Sequence, residues 1–316
     1  MKIKPQLAED ANLDAVIFPC GVQPKIDGVR AMNLDGTLTG RSLDPFEGFG
    51  ITDYFSVPET TGFDGEMTLG DKPNSDERLC SLTTGAMGRF NDVTEMADVH
   101  WWLFDYVTPA TIKLSYGDRY EALTHEAKAL KHPRLHLVPM EIAHNRAELN
   151  AIIARFFNEG YEGAIIRNLN AKYKEGRATK KNQELWRVKS WADFEILVTG
   201  ITEGQVNQNE AKKNTLGRTE RSSAKDGMVP NGQVGSIQGT LVSDVHCPIT
   251  GKLLFKKGLP ITAGSGNMTV KEAIDYWQNP HKIVKHFAKI KHMTHGVKDL
   301  PRFPTYMSHR LKADMS

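Results

Sequence analysis

Gln23-Pro24-Lys25-Ile26-Asp27-Gly28-Val29-Arg30 is the stretch from which the rest of the chain can be read. Asp27-Gly28 is turn chemistry at the end of an extended run, so Lys25 sits where a strand enters a tight turn. Side chains two apart on extended backbone share a face, which places Lys25 and Asp27 together. A lysine becomes a covalent nucleophile only when its pKa drops from about 10.4, through desolvation or neighbouring cations. Arg30 adds a cation suited to a phosphate or a ribose. The same residues could also form a surface turn whose Lys–Asp pair contributes almost nothing.

Working outward, Gly21–Arg30, Ala31–Thr39, Gly62–Leu69, Val99–Val107 and Gly163–Arg167 read as strands, with helices at Tyr116–Lys131 and Arg146–Glu159. In the second helix Leu149, Ile152, Ile153, Phe156 and Phe157 make an apolar stripe, and Gly160 is a stop. Composition shifts at Trp191. Residues 201–235 are polar and read as a long loop. Gly235–Val245, Lys252–Lys256 and His286–Met293 then read as short strands, with a helix near Val270–Trp277. Residues 282–293 fit either a helix or a two-period strand. Several short strands in the last part of the chain suggest a small β-barrel.

With 316 residues, the chain has room for about two domains. Hydrophobic residues at 40% and charged residues at 25% exclude a collagenous, low-complexity or wholly disordered chain. No run is long and apolar enough for a membrane helix, and the N-terminus lacks the apolar core of a secretory signal. Cys20, Cys80 and Cys247 show neither a disulfide framework nor zinc spacing, which fits a reducing cytoplasm. The net charge of +2 speaks, by itself, against a strongly basic nucleic-acid binder. Divided at Ser190, however, the chain is unequal: residues 1–190 carry −4 and residues 191–316 carry +6. The acidic part suits metal carboxylates and the basic part suits phosphates.

Six segments in order now carry a resemblance: Lys25-Ile26-Asp27-Gly28-Val29-Arg30, Phe63-Asp64-Gly65-Glu66, Trp102-Leu103-Phe104-Asp105-Tyr106-Val107, Glu162-Gly163-Ala164-Ile165-Ile166-Arg167, Trp186-Arg187-Val188-Lys189, and Pro301-Arg302-Phe303-Pro304 through Arg310. Together they resemble the covalent nucleotidyltransferases, and among them the small ATP-dependent DNA ligases of phage and viral type. The resemblance implies an α+β chain. Residues 1–190 would be an adenylation domain of antiparallel sheets with helices, and residues 191–316 an all-β OB-fold domain with a basic insert at about 203–233. Because the chain begins almost at the motif core, no separate N-terminal DNA-binding domain is expected.

The resemblance also implies roles. Lys25 would carry AMP, with Asp27, Arg187 and Lys189 as its catalytic partners. Gln23, Ile26, Arg30, Arg41, Glu66, Phe104, Arg187, Lys189 and Arg310 would contact the nucleotide. Phe104 would stack on adenine, and Gln23, which both donates and accepts, suits the Watson–Crick edge. Glu66 and Glu162 are hard oxygen ligands for magnesium or manganese. Arg187 departs from the family's usual lysine, so it reads as a phosphate or carboxylate clamp. Lys312 and Asp314 are displaced from the family's terminal pattern. Arg41 would reach the nick phosphate. Lys212, Lys213, Arg218, Arg221 and Lys225 would form a salt-sensitive latch on the duplex. His125, His132 and His136 lack metal spacing and read as surface or capping residues.

The reading is therefore a monomeric, cytoplasmic enzyme, acting in the host cytoplasm if viral. It would use ATP and a divalent cation to seal 5′-phosphate/3′-hydroxyl nicks in duplex DNA. The alternatives are an RNA ligase or GTP-dependent capping-type enzyme, and a catalytically idle nucleic-acid-binding barrel.

Overall fold

The computed structural model describes residues 3–46, 49–88, 98–248, 251–296 and 299–310, the side chain of residue 49 excepted. Lys312 and Asp314 lie outside the described residues. The chain divides into two compact units, Met1–Lys189 and Ser190–Ser316.

Two five-stranded sheets build the first unit. One has the order β2 (Glu9–Asp10), β12 (Trp186–Lys189), β10 (Gly163–Arg167), β3 (Cys20–Lys25), β9 (Glu141–Ala143). The other runs β5 (Leu38–Thr39), β4 (Val29–Asn33), β6 (Phe63–Leu69), β7 (Val99–Tyr106), β8 (Leu135–Leu137). Pairing is antiparallel except for β2 with β12 and β7 with β8. A short β1 (Gln6–Leu7) pairs in parallel with β11 (Gly176–Arg177). Each sheet buries one face. Val22, Ala164, Ile166 and Trp186 join Leu149, Ile153 and Phe156 of helix α4 (Arg146–Asn158) in one core. Ala31, Phe63, Met67, Val99, Trp101 and Leu103 join residues of helices α1 (Phe49–Phe55), α2 (Leu79–Met87) and α3 (Tyr116–Leu130) in another. The alternation in Val99–Tyr106 follows the period of two: Trp101 and Leu103 are fully buried, while Trp102, Phe104 and Tyr106 are half-buried on the other face.

Several local expectations need correction. Gly21–Arg30 is not one strand: β3 ends at Lys25 and β4 begins at Val29, leaving Ile26–Gly28 as the turn. Helices α1 and α2 lacked a readable periodic signal. His136 is not a surface residue; it stacks on Trp102 at 4.5 Å, and its Nε2 lies 2.7 Å from His100 Nδ1. His132 does cap, accepting from Arg134 N at 3.1 Å, and His125 is exposed.

The second unit is a closed five-stranded barrel of β13 (Trp191–Asn207), β16 (Met228–Leu241), β19 (Pro260–Gly264), β21 (Arg302–Arg310) and β20 (Phe287–Met293). Only β19 and β21 pair in parallel, and helix α5 (Val270–Gln278) lies between β19 and β20 in sequence. This is the five-stranded Greek-key topology of an OB-fold. Phe194, Ile196, Ile237, Ile261, Ala288 and Ile290 fill it. The small hairpin β17 (Val245–His246) with β18 (Leu253–Phe255) adds Val245 and Phe255 to the same core. Phe287–Met293 takes the two-period reading. Residues Arg302–Arg310 form a barrel strand.

The basic insert is not a loop. Strands β13 and β16 remain paired as far as Asn207 opposite Met228. A second hairpin, β14 (Ala211–Lys213) with β15 (Thr219–Arg221), completes it. Asn207 Nδ2 donates to Ser222 O (2.8 Å), and Asn209 Nδ2 lies within reach of Ser222 O (2.9 Å) and Ala224 O (2.8 Å). A ribbon anchored on a barrel can be polar on both faces, because its backbone bonds and not a core hold it. That is why its composition reads as loop.

Candidate active site

Register decides which side chains meet in the first unit. On the sheet face away from the α4 core, Gly163 lies opposite both Lys25 and Lys189, and Ile165 opposite both Gln23 and Arg187. Lys25, Gln23, Ile165, Arg167 and Arg187 accordingly line one cavity, of about 220 Å³. Arg30, Glu66 and Phe104 of the other sheet line it too, as do Ile26 and Arg41. Two glycines make the approach possible. A Cβ on Gly163 would collide with the Val188 carbonyl oxygen. One on Gly28 would collide with the Met67 carbonyl and stand 2.8 Å from Glu66 Cγ. The Asp27-Gly28 turn is thereby pressed against the strand that carries Glu66.

Glu162, immediately before Gly163, is almost fully buried between two lysines. Its Oε2 pairs with Lys25 Nζ, and its Oε1 with Lys189 Nζ at 2.6 Å. Burial alone would raise its pKa, but Lys25 and Lys189 outweigh burial and hold it at about 2. For Lys25, burial alone would lower the ammonium. Glu162 and Glu66, with a smaller contribution from Asp27, overcome this and keep the amine above the ordinary lysine range. Lys189 is pushed the other way, by burial and by Lys25. The carboxylates around Lys25 thus hold its pKa above the ordinary lysine value and not below it.

Glu66 is pushed up to about 7, chiefly by burial, with Glu162 adding to the rise. Among the described residues no group of three His, Cys, Asp or Glu side chains is placed to hold a metal. Of the two expected metal carboxylates, Glu162 has both oxygens on lysines and lies close enough to Glu66 to raise its pKa. A magnesium ion needs only one or two protein carboxylates when substrate phosphates complete its shell. Glu66, a pocket carboxylate near a lysine that would hold a phosphate, fits that limited demand.

Arg30 forks onto Asp64, Nε to Oδ1 at 2.9 Å and Nη2 to Oδ2 at 2.6 Å, and donates from Nη1 to Gln6 O at 2.7 Å. Its guanidinium lies 5.3 Å from the Phe104 ring centroid. Gln23 is buried, and its amide is largely committed within the protein. Tyr116 Oη lies 2.9 Å from Gln23 Oε1 and 2.8 Å from Phe104 O, so its one proton serves either, while Gln23 Nε2 faces Val138 O at 3.4 Å. Arg187 Nε pairs with Asp10 Oδ1 at 2.7 Å, which matches the clamp reading only in that the partner is a carboxylate. Arg41 is exposed at the pocket rim with no hydrogen-bond or ion-pair partner among the described residues. Asp27 is buried in the turn, outside the residues that line the cavity.

Arg310 ends β21, opposite Phe287 in the barrel. The five latch residues are all exposed. Lys212 lies opposite Glu220, Lys213 Nζ donates to Thr219 Oγ1 at 2.8 Å, and Arg221 donates to Asn209 O. Sequence reasoning missed Asp64, Tyr116 and Arg167. The signal for Asp64 and Arg167 was their alternation with Glu66 and Ile165.

Residues 50–189 match the family model described as the ATP dependent DNA ligase domain, a match that begins after Lys25. A DNA ligase of African swine fever virus is 27% identical over 196 residues, covering 58% of this chain and 45% of the viral protein. The match thus spans less than half the length of that relative. Among solved structures, one from a study of Lig E DNA ligases matches with a TM-score of 0.67 at 20% identity, covering 97% of this chain and 99% of the other. A Chlorella virus DNA ligase-adenylate matches with a TM-score of 0.51 at 24% identity, covering 99% of each chain. Residues 50–189 are thus similar to the ATP dependent DNA ligase domain, and the chain shares the fold of these solved DNA ligases along nearly its whole length.

Proposed function

We propose that this chain is an ATP-dependent DNA ligase that seals 5′-phosphate/3′-hydroxyl nicks in duplex DNA through a lysyl-AMP and a DNA-adenylate. The observation that carries the reading is the pairing of Lys25 with Glu162 at a pocket also lined by Arg30, Glu66 and Phe104. Lys25 gives up its ammonium proton to solvent, its Nζ lone pair attacks the ATP α-phosphorus, the bond to pyrophosphate breaks, and AMP remains on nitrogen. AMP then passes to the 5′-phosphate of the nick, and the 3′-hydroxyl displaces it. Phosphoryl transfer of this kind asks the protein for position and charge more than for covalent chemistry. Glu162, ionised down to about pH 2, is a poor base, and its part is to orient the two lysine amines. Arg30, locked on Asp64, faces the nucleoside, and Phe104 offers the stacking surface. Arg187 and Lys189 bring cations to the phosphates, and Arg41 at the rim would reach the nick phosphate. Arg310 would act on pyrophosphate.

Glu66 would hold magnesium or manganese; when bound, the cation neutralises phosphate charge and offsets the carboxylate field that keeps Lys25 protonated. Lys212, Lys213, Arg218, Arg221 and Lys225 would hold the duplex through its phosphates. The chain would act as a monomer in the cytoplasm; among the described residues no helix is long and apolar enough to cross a membrane.

The test is incubation with labelled ATP or GTP and magnesium, followed by nicked DNA or nicked RNA. An AMP adduct, abolished in Lys25→Ala, and sealed DNA are expected. A GMP adduct, or sealing of RNA alone, would replace this reading with the capping-type or RNA-ligase one. No adduct of either kind would leave a nucleic-acid-binding protein.

A further inference from the structure

Arg167 is a buried cation for which the proposed chemistry has no use. It is 2% exposed and lines the nucleotide cavity. Buried guanidinium groups are normally satisfied by close, paired acceptors. Arg30 and Arg119 obey this: each forks onto one carboxylate, Asp64 and Asp105, at distances from 2.6 to 3.2 Å. Arg167 does not. Its Nη1 reaches Gln6 Oε1 only at 3.4 Å and Asp105 Oδ2 only at 3.7 Å. Its Nε has no partner among the described residues. Beside it, Gln6 is 1% exposed and its Nε2 is also unpartnered. Of these two neighbours, only Arg167 lines the cavity.

Its position along the strand says which end of a ligand it meets. Arg167 is four residues from Gly163, the position opposite Lys25, or about 13 Å of strand. It lies opposite Gly21, where the Met140 and Leu169 side chains pack in place of a Cβ. Its guanidinium stacks on Tyr116, 4.2 Å from the ring centroid, and lies 5.6 Å from the Phe104 centroid. This is the nucleoside end of the pocket, remote from the phosphates at Lys25.

We propose that Arg167 is a nucleotide-binding residue, whose Nε–H donates to a neutral acceptor of the nucleoside, with Gln6 holding its guanidinium. The acceptor is a ring nitrogen of the base or a hydroxyl oxygen of the ribose. The proposal rests on the ATP-using reading of this pocket.

Two measurements test it on the whole chain: ATP affinity by calorimetry, and KM and kcat of lysyl-adenylate formation. Arg167→Lys keeps the cation and moves the donor. It should weaken ATP binding and raise KM about tenfold, with kcat little changed. The analogues 1-deaza-, 3-deaza-, 7-deaza-, 2′-deoxy- and 3′-deoxy-ATP then locate the contact. With one of them, wild type and Arg167→Lys should bind equally, because the acceptor is already gone; a deaza analogue assigns the base and a deoxy analogue the ribose. An unchanged affinity, or the same loss with every analogue, would overturn the proposal in favour of packing. If Arg167→Lys does not fold, Gln6→Leu replaces it, with about a threefold loss expected and the same analogue pattern required. Calorimetry keeps the two readings apart. ATP binding that depends on Arg167 without any adduct would sink the ligase reading and leave Arg167 standing.

Discussion

Glu162 sits at the centre of the pocket's electrostatics, with one carboxylate oxygen for Lys25 and the other for Lys189. Replacing it with Gln leaves two half-buried ammonium groups without their counter-ion, and should cost about 3 kcal/mol of stability. Its folded pKa, about 2, lies below the ordinary carboxylate value of 4.5, so its contribution is complete above pH 4.5 and is lost as pH falls toward 2. Denaturant melts of wild type and Glu162→Gln should therefore converge in acid; a gap that persisted at the lowest pH would contradict the pairing. The same substitution removes a carboxylate that holds the proton on Lys25, so the alkaline-rising limb of adduct formation should move to lower pH. The types of residue at this site were legible in the sequence. Their partnerships were not, because a motif lists neighbours along the chain while charge pairing depends on register between strands. Glu162 read as a metal ligand, and register also makes it the counter-ion of two lysines from two other strands.

Among the elements, the ribbon from Glu203 to Val234 shows how far composition can mislead. Its polarity reads as loop, yet paired strands run through it and end in the β14–β15 hairpin. An ordered ribbon holds its cations in fixed places, and Lys213 and Arg218 carry no carboxylate directly opposite. If they touch phosphates, Lys213→Gln with Arg218→Gln should flatten the plot of log Kd for nicked duplex against log salt by about 2. Adduct formation on Lys25 should not change. An unaltered slope would remove the ribbon from the DNA interface. The core-facing elements were better served by pattern: Arg146–Asn158 and Val99–Tyr106 each bury one face at its own period. Helices α1 and α2 escaped notice because a segment of seven or nine residues barely completes two turns of periodicity.

On the scale of the whole molecule, each unit has a core of its own, the barrel's from Phe194 to Tyr306 and the first unit's two from Cys20 to Trp186. Ile290→Ala, at a fully buried barrel position, should cost that unit about 3 kcal/mol and lower one calorimetric transition while leaving the other in place. A single transition that moved as a whole would mean the two cores melt together. The net charge of +2 conceals a comparable division, −4 for residues 1–190 and +6 for the remainder. Sequence alone determined the main strands, the two longest helices, the two-domain division and the identity of the candidate nucleophile, because each depends on residues close together in the chain. Tertiary structure decided that Lys25 is held protonated between carboxylates, that Gln23 is occupied by Tyr116, and that Arg167 keeps an unspent donor at the nucleoside end. Those properties arise from strands and helices that bring together residues far apart along the chain, and no local pattern encodes that distance.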